Sequence, residues 1–274
     1  MKSFKMKALA LATLGLGGLV MAGSAFAATC PTAVTTVGTT SPGGGGAWTS
    51  QYISSDASFA IGGPGLNGTS CALSLSIGAS SSSRTYVVDS SPQNEQRYRA
   101  RFYISLANLT NFTSSNQGVN LFRINDTTGP AQFTSDELVI KAYGGATPTI
   151  RFFVSDANSG SGATQAAVTL PSSATNTYRV EFDLQIGTGA TSNGGCTTMP
   201  ASGGCLRYWV TDAAAASSDG APTGSTTVNN SGWSGAKTAY FGMSNGSPGF
   251  RTNHAGAVLA FDEFDSRRQT FIGQ

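Results

Sequence analysis

Residues 97–104 read RYRARFYI, residues 177–186 read TYRVEFDLQI and residues 206–210 read LRYWV. In each segment polar and apolar residues alternate with a period of two, which is typical of a β-strand that buries one face. Similar segments, separated by turn-forming loops, occupy residues 119–124, 137–143, 149–154, 238–243 and 257–265. The alternation predicts a series of antiparallel strands, each with one apolar and one polar face.

Three shorter apolar segments precede these strands, in residues 52–61, 71–77 and 85–88, and long Gly-, Ser- and Thr-rich loops surround them. No window of a dozen residues carries a helical stripe of apolar residues. Only 11% of the residues are charged and 35 are glycine, a composition that suits strands joined by loops. We therefore predict an all-β fold, a two-sheet antiparallel jelly-roll sandwich.

The N-terminal segment has the organisation of a signal peptide. Three lysines, at positions 2, 5 and 7, precede an apolar run over residues 8–20, and Ala25 and Ala27 frame a cleavage site. The run contains glycines and is shorter than the roughly 20 apolar residues of a membrane span. We expect residues 1–27 to be removed and residues 28–274 to form a single β-sandwich domain without a transmembrane segment, secreted or periplasmic.

The net charge limits the classes of partner, and the cysteine content indicates the cellular compartment. Removal of the signal peptide with its three lysines changes the formal net charge from +2 to −1. A chain without excess positive charge is not expected to bind nucleic acid. Four cysteines form an even set, which in an exported chain favours two disulfides, and sequence proximity suggests Cys30 with Cys71 and Cys196 with Cys205. Zinc is disfavoured because there is no C-x-x-C pair and His254 is the sole histidine.

The strand pattern resembles the concanavalin A-like lectin/glucanase superfamily of laminin-G-like jelly rolls. The resemblance lies in residues 86–104 (YVVDSSPQNEQRYRARFYI), in residues 178–186 with LRYWVTD, and in the closing segment from Leu259. It covers most of residues 45–274 and implies the sandwich fold. The superfamily includes carbohydrate-binding modules, glycoside hydrolases, polysaccharide lyases and adhesion domains, so the resemblance does not choose among these functions.

None of three catalytic patterns is complete in the sequence. Glu181 and Asp183 look like part of the E-x-D strand motif of laminarinase-like hydrolases, but Gln185 or Ile186 stands where a proton-donating acid is required. Residues 242–246 match G-x-S-x-G, yet residues 247–249 (SPG) suit a loop rather than the helix of a nucleophile elbow. The lyase motifs R-T-E-L-R and Q-I-H are absent, and we interpret His254 as a solvated loop residue.

By analogy with laminin-G domains, calcium is an open alternative. Three acids at the ends of predicted strands could serve as ligands, namely Asp126, Asp156 and Asp212. No regular spacing of oxygen ligands singles them out.

The polar stripes of the long strands are the most informative feature. The polar faces of three predicted strands together carry guanidinium, carboxylate and aromatic side chains. The residues are Arg97, Arg99, Arg101 and Tyr103 in the first strand, Arg179, Glu181, Asp183 and Gln185 in the second, and Arg207 and Trp209 in the third. Unpaired burial of so many charges is costly, so this face is either a hydrated ligand-binding surface or a ladder of cross-strand ion pairs. The binding interpretation predicts that Arg99 and Trp209 share a groove.

These observations favour a secreted protein that binds a polysaccharide or a cell-surface glycan and has no evident catalytic machinery. A carbohydrate-active enzyme of the same fold, either a polysaccharide lyase or a glycoside hydrolase, is the first alternative. A structural or adhesive extracellular protein is the second.

Overall fold

The segments with period-two alternation form strands, as predicted. The computed structural model describes residues 30, 48–90, 92, 94–126, 136–159, 162–171, 175–189, 195–196, 198–200, 202–215 and 220–267. These residues contain fourteen strands: β1 Ser50–Ile53, β2 Ser58–Gly62, β3 Ala72–Ser76, β4 Thr85–Asp89, β5 Arg97–Ser105, β6 Gly118–Asn125, β7 Asp136–Tyr143, β8 Thr149–Ser155, β9 Ala163–Thr169, β10 Thr177–Gln185, β11 Cys205–Asp212, β12 Gly224–Thr227, β13 Thr238–Ser244 and β14 Leu259–Arg267.

The strands form two antiparallel sheets of seven strands each. The first sheet has the order β1-β4-β13-β6-β7-β8-β9, and the second has the order β12-β11-β10-β5-β14-β3-β2. Half of the twelve neighbouring pairs join strands that are not consecutive in sequence, as in a jelly roll, and every named strand pair is antiparallel. The predicted all-β jelly-roll sandwich is confirmed.

Aromatic side chains from the inner faces of both sheets form the core. Phe102 and Phe182 of the second sheet contact Phe122 of the first, with ring centroids 5.9 and 5.2 Å apart. Phe152 of β8 stacks on Tyr208 of β11 at 4.5 Å. Because each of these rings removes a large apolar surface from water, their contact across the layers stabilises the pairing of the two sheets.

Two strands and a helix were not predicted from the sequence. Strand β9 reads ATQAAVT and β12 reads GSTT, and neither contains an aromatic residue or a period-two alternation of large apolar residues. Helix α1, Pro248–His254, is capped by Ser247, whose side chain accepts a hydrogen bond from the backbone N–H of Phe250. The prediction of a loop is therefore wrong for residues 248 and 249, which lie in the helix, whereas Ser247 precedes it.

Both predicted disulfides are present. Cys30 is bonded to Cys71 and Cys196 to Cys205, and the described residues contain no free cysteine. Two disulfides fit a location outside the cytoplasm. Helix α1 spans seven residues, and no helix in the described part of the chain has the length and apolar character needed to cross a membrane. The predicted signal peptide, residues 1–27, lies outside the described residues.

We expect the purified mature protein to incorporate no thiol label when it is alkylated under denaturing conditions without reduction. The physical reason is that both cysteine pairs are oxidised. Mass spectrometry of a non-reduced digest should give the Cys30–Cys71 and Cys196–Cys205 peptides, and a reduced sample should take up four labels as the control. A Cys30–Cys205 peptide would contradict this connectivity.

Candidate functional site

The predicted polar stripes lie side by side on the outer face of the second sheet. Registers between β5, β10 and β11 place Asp183 opposite both Arg99 and Arg207. Trp209 lies opposite Glu181, two residues further along the strands and therefore on the same face. Directly opposed residues of neighbouring strands project from the same face, so the stripes form one continuous surface.

Asp183 is the centre of a buried ion-pair network on this surface. Its carboxylate accepts two hydrogen bonds from Arg97, at 2.9 and 2.8 Å, and one from Arg207 at 2.7 Å. Arg99 lies 3.6 Å from the same carboxylate and donates from Nε to Glu181 at 2.6 Å. The side chains of Arg99 and Asp183 are 1% and 0% exposed. We call Arg97, Arg99, Glu181, Asp183, Arg207 and Trp209 the Asp183 network.

The ring of Trp209 packs against two arginines of the network. The guanidinium carbons of Arg99 and Arg207 lie 4.5 and 5.3 Å from the centre of its ring. Cation–π contact of this kind is favourable, and more so where water is excluded. Arg99 and Trp209 thus share one site, as the sequence predicted, but the site is a paired and buried cluster rather than a hydrated groove.

The other four predicted residues lie on the same face, outside the network. Arg101 approaches Glu263 at 3.8 Å and lies over the ring of Tyr103. Arg179 donates to the carbonyl of Ala215 at 3.3 Å, and the side-chain amide of Gln185 donates to the carbonyl of Pro200 at 2.8 Å. The geometry matches the ladder of cross-strand ion pairs; binding of a ligand by these ten residues stays a prediction.

We expect Asp183→Asn to lower the free energy of unfolding by about 3–5 kcal/mol, because three guanidinium groups lose the carboxylate that compensates their burial. Urea denaturation of the mature protein measures this. Asp56→Asn is the matched control, since Asp56 is exposed and contacts the N–H of Ser80, and its change should stay within about 0.5 kcal/mol. Equal stabilities of the two variants would contradict a structural role for the network.

A second polar surface, not predicted from the sequence, covers the outer face of the first sheet. The register places Val88, Tyr240, Arg123, Val139 and Phe153 in one row across five strands. The rings of Tyr52, Tyr86 and Tyr240 form a cluster separate from the main core. The ring centroids of Tyr52 and Tyr86 are 5.6 Å apart, and those of Tyr86 and Tyr240 are 5.4 Å apart.

Cations lie over the aromatic rings along this face. Four such pairs are present, Arg84 over Tyr52 at 4.4 Å, Arg123 over Tyr240 at 4.6 Å, Lys141 over Phe153 at 4.7 Å and Arg151 over Tyr143 at 4.2 Å. We call these eight residues, with Tyr86, the arginine–tyrosine face. Its centre is buried, whereas Tyr52, Arg84 and the residues of β7 and β8 are partly exposed.

One carboxylate, Asp136, belongs to the same surface. Both of its oxygens lie 3.2 Å from Nη1 of Arg123. Burial raises the pKa of Asp136 to about 6, and the contacts with Arg123 oppose this rise without cancelling it. Burial also raises the pKa of Tyr86 to about 12 and that of Tyr240 above its ordinary value, so both phenols are protonated at neutral pH.

Sequence reasoning missed this face because its residues come from six separate segments. Arg123 and Tyr240 alternate with core residues in β6 and β13, but in β4 the polar Thr85 and Asp89 share the parity of the core residue Val87, so alternation does not assign Tyr86 to the outer face. The registers of those strands, which the sequence does not state, are needed to bring the three side chains together.

The remaining catalytic patterns are explained by packing. Gly242 has a φ of 137° beside a bulge in β13, and a Cβ there would lie 2.6 Å from the carbonyl oxygen of Thr85. His254 is buried against Phe112 and Phe250, at ring distances of 5.5 and 5.2 Å. Burial lowers the pKa of His254. The interpretation of His254 as a solvated loop residue is therefore wrong.

The three acids considered for calcium have protein partners. Asp156 accepts hydrogen bonds from the N–H groups of Asn158 and Asn229, both at 3.0 Å, while Asp212 accepts from the N–H of Ala214. Asp126 accepts from the hydroxyl of Ser234 at 3.4 Å. The described part of the chain contains no group of three His, Cys, Asp or Glu side chains that could hold a metal ion. Calcium binding stays an untested expectation.

Glu137 of β7 is a buried carboxyl group next to Asp136. The residue is 0% exposed, and neither carboxyl oxygen has a hydrogen-bond partner among the described residues. Burial, with a smaller effect of Asp126, raises the pKa of Glu137 from 4.5 to about 8. The folded protein therefore keeps this carboxyl protonated at neutral pH, whereas the unfolded chain ionises it.

We expect Glu137→Gln to stabilise the protein increasingly as the pH rises. Below the pKa of Glu137 in the unfolded chain, its carboxyl group is protonated in both the folded and the unfolded wild type. Above that pH the unfolded chain ionises and the folded protein does not, so the wild type loses stability until the pH reaches the pKa of Glu137 in the folded protein. The variant should gain about 4 kcal/mol relative to wild type between about pH 4 and pH 8. Urea denaturation across this pH range measures the gain, with Glu95→Gln as the control; a pH-independent difference would refute the assignment.

Comparisons with known proteins give a fold likeness only. No family model matches the chain, and the search of curated proteins found no match. An endo-β-1,4-glucuronan lyase from the fungus Trichoderma reesei is 13% identical, with a TM-score of 0.49 over 85% of this chain and 96% of that chain. An alginate lyase from Klebsiella pneumoniae is 9% identical, with a TM-score of 0.44 over 77% and 84%.

The botulinum neurotoxin type G receptor binding domain is 10% identical, with a TM-score of 0.42 over 80% of this chain and 43% of that chain. All three TM-scores lie below 0.5, so these likenesses assign no function to the chain.

Proposed function

We propose that the protein is exported from the cytoplasm and binds an anionic polysaccharide through the arginine–tyrosine face of the first sheet. The observation that carries this proposal is the row of cation–aromatic pairs, which combines positive charge with ring surfaces on one face. Aromatic rings pack against the apolar faces of sugars, and guanidinium groups pair with carboxylates or sulfates through two parallel hydrogen bonds.

The charge of this face supports an anionic ligand. Four cations, Arg84, Arg123, Lys141 and Arg151, and one carboxylate, Asp136, lie among its described residues. Arg123 is buried and paired with Asp136, so the accessible charge of the face is that of the partly exposed Arg84, Lys141 and Arg151, whereas the mature chain as predicted has a net charge of −1. A basic surface on a nearly neutral protein attracts polyanions locally and in a salt-dependent way.

The dimensions support a chain ligand rather than a single sugar. The face extends from β1 to β8, which are five strand steps apart in the first sheet. Neighbouring strands lie about 4.8 Å apart, so the face spans roughly 24 Å. The partly exposed pairs lie at its two ends, Tyr52 with Arg84 and Tyr143 with Arg151, and the buried tyrosines lie between them. An extended oligosaccharide can contact both ends at once.

A lyase acting on the same ligand is the second candidate, and the contact between Tyr240 and Arg123 favours it. In β-elimination a guanidinium can neutralise the uronate carboxylate while a deprotonated phenol takes the C5 proton and returns it to the leaving glycosidic oxygen, as the C4–O bond breaks and a C4=C5 double bond forms. However, burial raises the pKa of Tyr240, so its phenol is a poor base at neutral pH. We therefore propose binding as the primary function.

We expect Arg84→Ala and Arg151→Ala each to weaken binding of alginate or polygalacturonate about tenfold, because each removes one charge-assisted contact. Affinity electrophoresis and calorimetry with the mature protein measure this, with neutral dextran as the ligand control. Both residues are partly exposed, so the melting temperature should change little.

Arg251→Ala is the matched control variant. It also removes one positive charge, but Arg251 belongs to α1 and donates to the carbonyl of Gly246. If Arg251→Ala weakens polyanion binding as much as Arg84→Ala, bulk charge rather than the arginine–tyrosine face is responsible. Appearance of unsaturated chain ends during the incubation, lost in Tyr240→Phe, would replace the binding proposal with the lyase.

A further inference from the structure

Two cations stand directly opposite each other at the β7–β8 end of the arginine–tyrosine face. Strand β7 carries Lys141 and strand β8 carries Arg151, and the register of these strands pairs the two residues. Both alternate with core residues of their strands, so both project outward, and both are partly exposed. Like charges that face each other across a strand pair repel each other. The pair is therefore unfavourable for the sheet unless an anion lies near it.

Two aromatic rings in contact restrain these cations. Lys141 lies over the ring of Phe153 at 4.7 Å, and Arg151 lies over the ring of Tyr143 at 4.2 Å. The centroids of the two rings are 6.3 Å apart, so the cations lie over neighbouring rings. Tyr143 in turn packs against Gly118 of β6, where an added Cβ would lie 2.6 Å from Cε1 of the ring. Side chains restrained in this way lose less entropy when a ligand binds.

The donors of this pair are largely unused in the part of the chain that the structure describes. Arg151 donates one hydrogen bond there, from Nε to the hydroxyl of Thr149 at 3.2 Å, and Lys141 donates none. Both terminal nitrogens of the guanidinium and the ammonium group are thus available to a ligand. The residues that flank the pair in the same row are uncharged, Asn120 of β6 and Ala167 of β9.

The carboxylate of Asp136, on the same face, does not neutralise the pair. It forms an ion pair with Arg123 at 3.2 Å and none with Lys141 among the described residues. Burial lowers the pKa of Lys141, and the charge of Asp136 opposes this effect. The ammonium group is partly desolvated without a described carboxylate in contact with it, and a bound anion would compensate this cost.

We propose that Lys141 and Arg151 jointly bind one acid group of the polysaccharide, a carboxylate or a sulfate ester. The inference rests on the proposed function and assigns the preference of the face for anions to this pair. Because the two cations lie over rings that touch, the ammonium and the end of the guanidinium can donate to different oxygens of the same group. One acid group then also relieves the repulsion between the two cations.

Three polymers with one backbone test the proposal by affinity electrophoresis of the mature protein: dextran, carboxymethyl dextran and dextran sulfate. Dextran should not retard the protein, and whichever anionic polymer does so identifies the acid group. Lys141→Gln and Arg151→Gln should each weaken this binding about tenfold. The double variant should lose little more than either single variant, because both cations serve one group. A loss of about a hundredfold in the double variant, the product of the two, would overturn the shared site.

The melting temperature distinguishes binding from a structural role. Without polymer, Lys141→Gln removes the like-charge repulsion and gives up the contact with Phe153, so the melting temperature should not fall. With the retained polymer, the melting temperature of the wild type should rise and that of Lys141→Gln should rise less. Lys141→Arg keeps the charge and should bind within about twofold of wild type. Arg251→Gln, which removes a charge from α1, should bind as wild type does.

The failure of this inference differs from the failure of the proposed function. If Arg84→Ala weakens polymer binding but Lys141→Gln does not, the face binds polyanions and the pair does not hold the acid group. Equal retardation by dextran would overturn the assignment of an anion. If neither anionic polymer nor alginate retards the wild type, the proposed function is wrong and the inference falls with it.

Discussion

The in-register pairing of β5 with β10 is the constraint on which the second sheet depends. It sets Phe182 opposite Ala100 on the inner face and Asp183 opposite Arg99 on the outer face. A slip by one residue would exchange the two faces and move guanidinium groups into a core of aromatic rings. Burial of unpaired charge costs several kcal/mol per group, so the charges specify the register as strictly as the apolar residues do.

The sequence predicts this part of the molecule because the relevant signals are local. Alternation within β5 and β10 assigns each residue to a face, and cysteine spacing pairs the four thiols. Strands β9 and β12 could not be found in this way, since their residues are small or polar and their positions depend on neighbours β8 and β11. Helix α1 is too short for an apolar stripe; Ser247 as its N-cap, followed by Pro248, was the available signal.

The same difference between local signals and signals that depend on strand register applies to the candidate sites. Trp209 and Arg99 meet because alternation fixed the faces of β5 and β11, but whether their face is hydrated depends on side-chain pairing that spacing does not encode. The arginine–tyrosine face depends on the register of β4, β13 and β6, strands that are far apart in the chain. Its tyrosines therefore carried no joint signal in the sequence.

The two sheets use arginine for different physical purposes. In the Asp183 network the guanidinium groups pair with carboxylates inside the protein, so their hydrogen-bonding capacity is directed to other residues of the fold. On the first sheet Lys141 and Arg151 lie over aromatic rings and are partly exposed, so their charges face solvent. The binding that we propose uses the outer face of the first sheet, whereas the Asp183 network pairs its charges within the second, so a substitution on one face is expected to change its own property without changing the other.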